Sequence, residues 1–178
     1  MLFGERTNGE RAQTREWRRQ HAWLRPAMNG NDWMDVVTVV LEQHEAAEYA
    51  LREVAEASPD ARTDRLRSLT MLLSAHEAAE EHVIYPALRE LGTEGTAVAD
   101  ARASEEAEAR EVLTSLADSE VTSPEFTTRF QAFMDTVLQH AETERVTVLP
   151  LLQASFSDQD RRAMGDAFLA AQHHHPNV

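Results

Sequence analysis

Two stretches of this chain set a histidine and a glutamate, four residues apart, into an otherwise apolar helical stripe. One stripe runs Leu66, Leu69, Leu73, His76, Glu80, Val83 and Ala87. The other runs Phe126, Phe130, Phe133, Val137, His140, Glu144, Thr147 and Leu151. Steps of three and four hold all members on one face of an α-helix. Each stretch therefore turns an imidazole and a carboxylate into the core that its own apolar residues build. An ionised carboxylate buried without a partner is strongly unfavourable, and two in one small core repel each other. A cation between them relieves both penalties. The pattern thus demands a fold in which two helices face each other across a polar layer, and an all-α bundle meets that demand.

The two stretches are also copies. His76, Glu80, Pro86 and Leu88 recur at the same spacing as His140, Glu144, Pro150 and Leu152. A proline deep in a helical pattern ends or kinks the helix, here at the same distance from each carboxylate. Such a repeat implies a site with approximate twofold symmetry, which suits a pair of metal ions.

The remaining periodicity supplies the partners. A first helix is expected from Asp32 or Asp35 to Ala57, with Val37, Val40, Leu41, Leu51 and Val54 inward and His44 among them. Ser58–Pro59 and Ser123–Pro124 are helix-start signals, and Gly92 reads as a C-terminal cap. The third helix, from about Thr93 to Asp118, is the weakest, with Val98, Ala109, Val112, Leu113 and Leu116. A short fifth helix over about Asp158 to Gln172 ends in His173, His174 and His175. Four long helices with short connections favour an up-down-up-down antiparallel four-helix bundle. The expected organisation is a basic N-terminal extension over 1–31, the bundle over 32–155, and a short C-terminal helix and tail over 156–178. Trp17, Trp23 and Leu24 are candidates to tether the extension.

Composition narrows the chemistry. The chain has 178 residues, 42% of them hydrophobic, enough for one domain with a sizeable core. It contains no cysteine, so nitrogen and oxygen must hold any metal, which suits iron, manganese or zinc. The net charge of −14 argues against nucleic-acid binding by the core. Six arginines in residues 1–31 stand against three glutamates, so the extension is basic where the body is acidic. No apolar run is long enough to span a membrane, and Met1 to Glu10 lack a signal-peptide core. A cytoplasmic protein is expected; a homodimer stays open.

The third helix lacks histidine. Aligning Leu51 and Val54 with Leu113 and Leu116 sets Glu106 in the role of His44, with Glu105 as the alternative one residue away.

Taken together, His44, His76 with Glu80 and Tyr85–Pro86, and His140 with Glu144 and Leu149–Pro150 resemble the hemerythrin-like (HHE cation-binding) family over roughly residues 33–153. The resemblance implies a di-iron centre in which Glu80 and Glu144 bridge and His44, His76 and His140 are terminal ligands. It also raises Glu77, because some members use the acid directly after that histidine. It implies a protein that binds or senses oxygen, peroxide or nitric oxide, or handles iron; manganese or zinc would also suit the donors. Slow peroxide or ferroxidase-type turnover stays open. The family usually places a histidine where this chain has Glu106. A carboxylate there makes the site harder and more anionic, favouring the ferric state over reversible oxygen binding.

Plainer readings compete. A lone inward histidine such as His44 is commonly a hydrogen-bonded core residue. Glu106 sits in a run with Glu105, Glu108 and Glu111 that could be a solvated face. Glu77 lies about 100° off its stripe. Glu48 is a weaker candidate, His82 is expected on the surface, and His173 to His175 could bind metal adventitiously, with a mobile terminus the default expectation. A metal-free or single-metal helical interaction module is the alternative function. A ferritin-like oxidase is disfavoured, since those bundles use Glu-x-x-His, the reverse order.

Overall fold

A computed structural model describes residues 35–173. The extension over 1–31, its Trp17, Trp23 and Leu24, and His174 and His175 lie outside the described residues, as does the side chain of His173. The described residues are helical, with no strand among them.

Helix α1 spans Val36–Glu56, and α2 spans Pro59–Ala79. A π turn over Glu80–Ile84 continues α2 directly into the short α3, Tyr85–Arg89. Helix α4 spans Thr93–Ala117, α5 Pro124–Val146, α6 Val148–Ser155 and α7 Asp158–His173. The helix starts follow the sequence signals. Asp35 caps α1 by accepting from the Val37 N–H at 2.9 Å, and Ser123 caps α5 by accepting from the Phe126 N–H at 3.0 Å. Ser58 sits at the N-cap of α2 in extended conformation, with Pro59 after it. Gly92, with φ of 88°, makes the turn between α3 and α4. Gly95 permits the tight approach that follows, because a Cβ there would stand 2.0 Å from the Leu88 carbonyl oxygen.

Neighbouring contacts close a ring, α1 on α2, α2 on α4, α4 on α5 and α5 on α1. Two apolar clusters fill it. The first joins Val36, Val39 and Val40 to Ile84, Tyr85, Leu88, Ala99, Val148, Leu149, Leu152 and Phe168. The second joins Leu51 and Val54 to Leu66, Leu69, Leu73, Leu113, Leu116, Phe126, Phe130 and Phe133. The chain crosses from the first cluster to the second along α1, back along α2, over again along α4 and back along α5. At each crossing it passes the candidate residues, at 43–44, 76–80, 105–106 and 140–144. The polar layer thus lies between two oily ends.

The fifth helix is not an appendage. Helix α7 packs on α1, α2 and the π turn, and Phe168 is fully buried in the first cluster. Arg161 donates to Asp35 at 2.9 Å, tying the start of α7 to the cap of α1.

One expectation needs correction in both repeats. Val83, Ala87, Thr147 and Leu151 are not the buried positions after the glutamates; Ile84, Tyr85 and Leu88, and Val148, Leu149 and Leu152, are. Each run is displaced by one residue. In the first repeat the π turn absorbs the extra residue, with the Tyr85 N–H reaching back five positions to the Glu80 carbonyl. In the second, the helix breaks at Thr147, where φ is −120°. Both lie just before a proline, whose ring would collide with the carbonyl four residues earlier in an unbroken helix. Val112, also read as inward, is 40% exposed.

Candidate metal centre

Each helix of the ring contributes to the polar layer, and the apolar residues on either side fix where. Glu80 and Glu144 are completely buried, Glu106 is 3% exposed and His76 is 7% exposed. His44 and His140 are partly buried. Two groups of ligand-type atoms form, each with all its atoms within 4.8 Å of one another: His44, His76, Glu80 and Glu144, then Glu80, Glu106, His140 and Glu144. The two groups share both glutamates.

Within them, His44 Nε2 lies 3.2 Å from Glu144 Oε2 and His76 Nε2 lies 3.4 Å from Glu80 Oε2. His140 Nε2 lies 3.6 Å from Glu144 Oε1 and 3.7 Å from Glu106 Oε1. None of these three nitrogens has a hydrogen-bond partner. Among the described residues, ten buried side-chain nitrogen and oxygen atoms lack one. Eight are the Nε2 atoms of His44, His76 and His140, both oxygens of Glu80, both of Glu144 and one of Glu106. Buried polar atoms are normally satisfied, so orphans gathered at one point need an explanation. A cation supplies it, since lone pairs on nitrogen and carboxylate oxygen are what non-thiophilic metals accept. The residues therefore fit a metal cation, with Glu80 and Glu144 common to both donor groups.

The opposite faces of two imidazoles are held. His76 Nδ1 is 2.9 Å from Gln43 Oε1, and His140 Nδ1 is 3.0 Å from Glu105 Oε2. These contacts leave each Nε2 to point inward, the arrangement usual for metal-binding histidines. Gln43 precedes His44 as Glu105 precedes Glu106, so the twofold relation extends to these partners. Glu105 is itself held by Arg102 at 2.6 Å. The Tyr85 hydroxyl donates to Glu106 Oε1, while the equivalent position in the second repeat is Leu149.

The electrostatics match a site built for positive charge. Burial, with Glu144 and Glu106 adjacent, pushes Glu80 well above the ordinary carboxyl range. Burial resists ionisation of Glu144 as well, but the imidazoles of His44, His140 and His76 outweigh it and hold the group below its usual value. Glu106 rises to about 7, chiefly through burial. His76 falls to about 3, again chiefly through burial, with His44 adding to the effect, so its ring is neutral and free to donate a lone pair.

Of the residues singled out in the sequence, His44, His76, Glu80, Glu106, His140 and Glu144 come together; Glu77 does not join either group. It is held by Arg110 at 3.0 Å, which also grips Glu81. Glu48 pairs with Arg52, and His82 is exposed. Gln43, Phe168 and Gln172 escaped the sequence reading, and Tyr85, noted there only as the aromatic before the proline, gains its contact with Glu106 from the structure.

A cavity of about 40 Å³ adjoins the layer, lined by His44, His76, Glu106 and His140 and walled by Leu73, Ala109 and Val137. It exceeds the roughly 10–15 Å³ that one water requires. No described helix is long and apolar enough to cross a membrane.

A family model described as the Hemerythrin HHE cation binding domain matches residues 35–152. No curated protein and no solved structure matches the chain.

Proposed function

The chain belongs to the hemerythrin HHE cation-binding domain family, and from that premise we propose that it is a non-haem di-iron protein that takes a small oxidant or diatomic molecule beside its metals. The observation that carries this reading is the pair of donor groups sharing Glu80 and Glu144. His44 and His76 would hold one ion, Glu106 and His140 the other, with Glu80 and Glu144 available to both. The up-down-up-down antiparallel order is part of the same reading, supported by the chain's alternation between the two apolar clusters.

Iron, when bound, would supply the redox chemistry and the open coordination position. The protein's part is to hold the donors and control what reaches them. Leu73, Ala109 and Val137 make an apolar approach, and the cavity beside His44 and His140 has room for an oxygen, nitric oxide or peroxide molecule. Glu106 distinguishes this centre from one built with a histidine there. Its charge favours the ferric state, so the reading is peroxide handling, sensing or iron storage rather than reversible oxygen carriage. Manganese or zinc would fill the same donors without that redox role. An acidic chain without a membrane-crossing helix among the described residues fits a cytoplasmic protein acting on small molecules.

Anaerobic reconstitution with ferrous iron, followed by metal analysis and air exposure, tests the proposal. It requires about two irons per chain and an oxo-bridge charge-transfer band after oxidation that responds to peroxide or nitric oxide. Well under one iron per chain, with no such band, would sink it.

A further inference from the structure

Resting on the metal reading above, we propose that Gln172 on the C-terminal helix is a positioning residue that acts through Gln43 to hold His76 in its metal-ready tautomer. The geometry is a relay across the bundle. Gln172 Nε2 donates to Gln43 Oε1 at 2.7 Å, and Gln43 Nε2 donates back to Gln172 Oε1 at 3.0 Å. The same Gln43 oxygen lies 2.9 Å from His76 Nδ1.

An amide oxygen only accepts. Facing Gln43 Oε1, His76 Nδ1 must carry the ring proton. That leaves Nε2, the atom in the donor group with Glu80 and Glu144, with its lone pair free. If Gln43 turned its amide over, an NH₂ would face Nδ1, the proton would move to Nε2, and the ring would lose its capacity to bind a cation. Reciprocal bonding to Gln172 prevents Gln43 from turning alone. Phe168, one turn earlier on the same helix, packs edge-on against His76 with ring centroids 5.8 Å apart, so the ring cannot swing to escape the relay.

The other half of the site is built differently. His140 Nδ1 faces Glu105, an acceptor with no donor face, and Glu105 is fixed by Arg102. A carboxylate cannot present the wrong group, so that imidazole needs no lock. The dependence on Gln172 therefore falls on one metal position only, the one served by His44 and His76.

Two variants of the full chain separate this role from simple packing. Gln172→Met keeps the length and removes the hydrogen bonds. Gln172→Glu keeps the acceptor for the Gln43 NH₂ and gives up the donor to its oxygen, so the Gln43 NH₂ still turns toward residue 172 and its oxygen toward His76. Ferrous iron retained after dialysis against a graded chelator, together with ¹⁵N shifts of the His76 ring in the metal-free chain, gives the readout. Gln172→Met should bind one of its two irons more weakly, by up to about 10-fold, in proportion to the share of His76 that leaves the competent tautomer. Its His76 ring should show mixed tautomers. Gln172→Glu should keep the wild-type tautomer, because the Gln43 NH₂ still has its acceptor. Wild-type affinity for both irons and an unchanged tautomer in Gln172→Met would overturn the proposal, as would a Gln172→Glu variant that behaves like Gln172→Met. If wild type takes up no metal, the metal reading fails while the tautomer measurement still decides the relay.

Discussion

Glu80 stands in the core with neither oxygen hydrogen-bonded and with Glu144 and Glu106 beside it. In the metal-free chain it keeps a proton that the unfolded chain would release, which costs stability at neutral pH. Glu80→Gln removes that cost while keeping the shape. Metal-free Glu80→Gln should therefore melt higher than wild type, at about 2–4 °C per kcal/mol gained. The same variant should lose the rise in melting temperature that iron gives wild type, because a shared donor is gone; paired calorimetric scans with and without iron check both directions. The six residues that converge were legible in the sequence because a charged or titratable side chain on an apolar stripe contradicts its surroundings. Glu106 was the least legible of these, hidden in a run of acids, and only register against Leu113 and Leu116 picked it out. Gln43, Phe168 and Gln172 could not be read that way. An amide on a helix or a phenylalanine in an amphipathic segment contradicts nothing until its distant partner is known.

At the scale of the elements, helix starts and the order of helices followed from caps, prolines and apolar spacing. The interruptions did not. Pro86 and Pro150 announced that something would bend, but not that each repeat would carry one extra residue and shift its buried face from Val83 to Ile84 and Tyr85, or from Thr147 to Val148 and Leu149. Side-chain periodicity cannot register a π turn, since the stripe simply resumes one position later. Exposed His82 lies within the π turn and can be removed without touching the core. Deleting it should convert the π turn to regular α-helix with Glu80, Tyr85 and Leu88 still inward. The proline ring would then meet a helical carbonyl, at a cost of about 3 kcal/mol. The deletion alone should lower the melting temperature. Deletion combined with Pro86→Ala should recover most of the loss and retain iron, as measured by thermal melts and metal analysis.

For the whole molecule, the bundle is two apolar ends around a layer that is stable only when its charge is answered. Without metal, Glu80, Glu106 and Glu77 hold their protons above the normal carboxyl range, Glu106 and Glu77 to about 7, chiefly through burial. Their folded values exceed their unfolded ones, so the stability they contribute is present at low pH and lost as pH rises through about 7. His76 works oppositely. Its folded value, about 3, lies below the unfolded one, so its contribution is complete above about 6.5 and lost as pH falls. Of these four groups, the three carboxyls dominate between pH 6.5 and 8. The metal-free chain should lose stability across that window, and denaturant titrations at several pH values should show it. With iron bound the trend should flatten or reverse, because metal competes with protons for the same atoms.

The most direct test is a crystal of the iron-loaded chain examined for anomalous scattering at the iron edge. Two peaks should lie between Glu80 and Glu144, one flanked by His44 and His76 and the other by Glu106 and His140. No peak there, or a single ion that leaves either group of donors empty, would contradict the account.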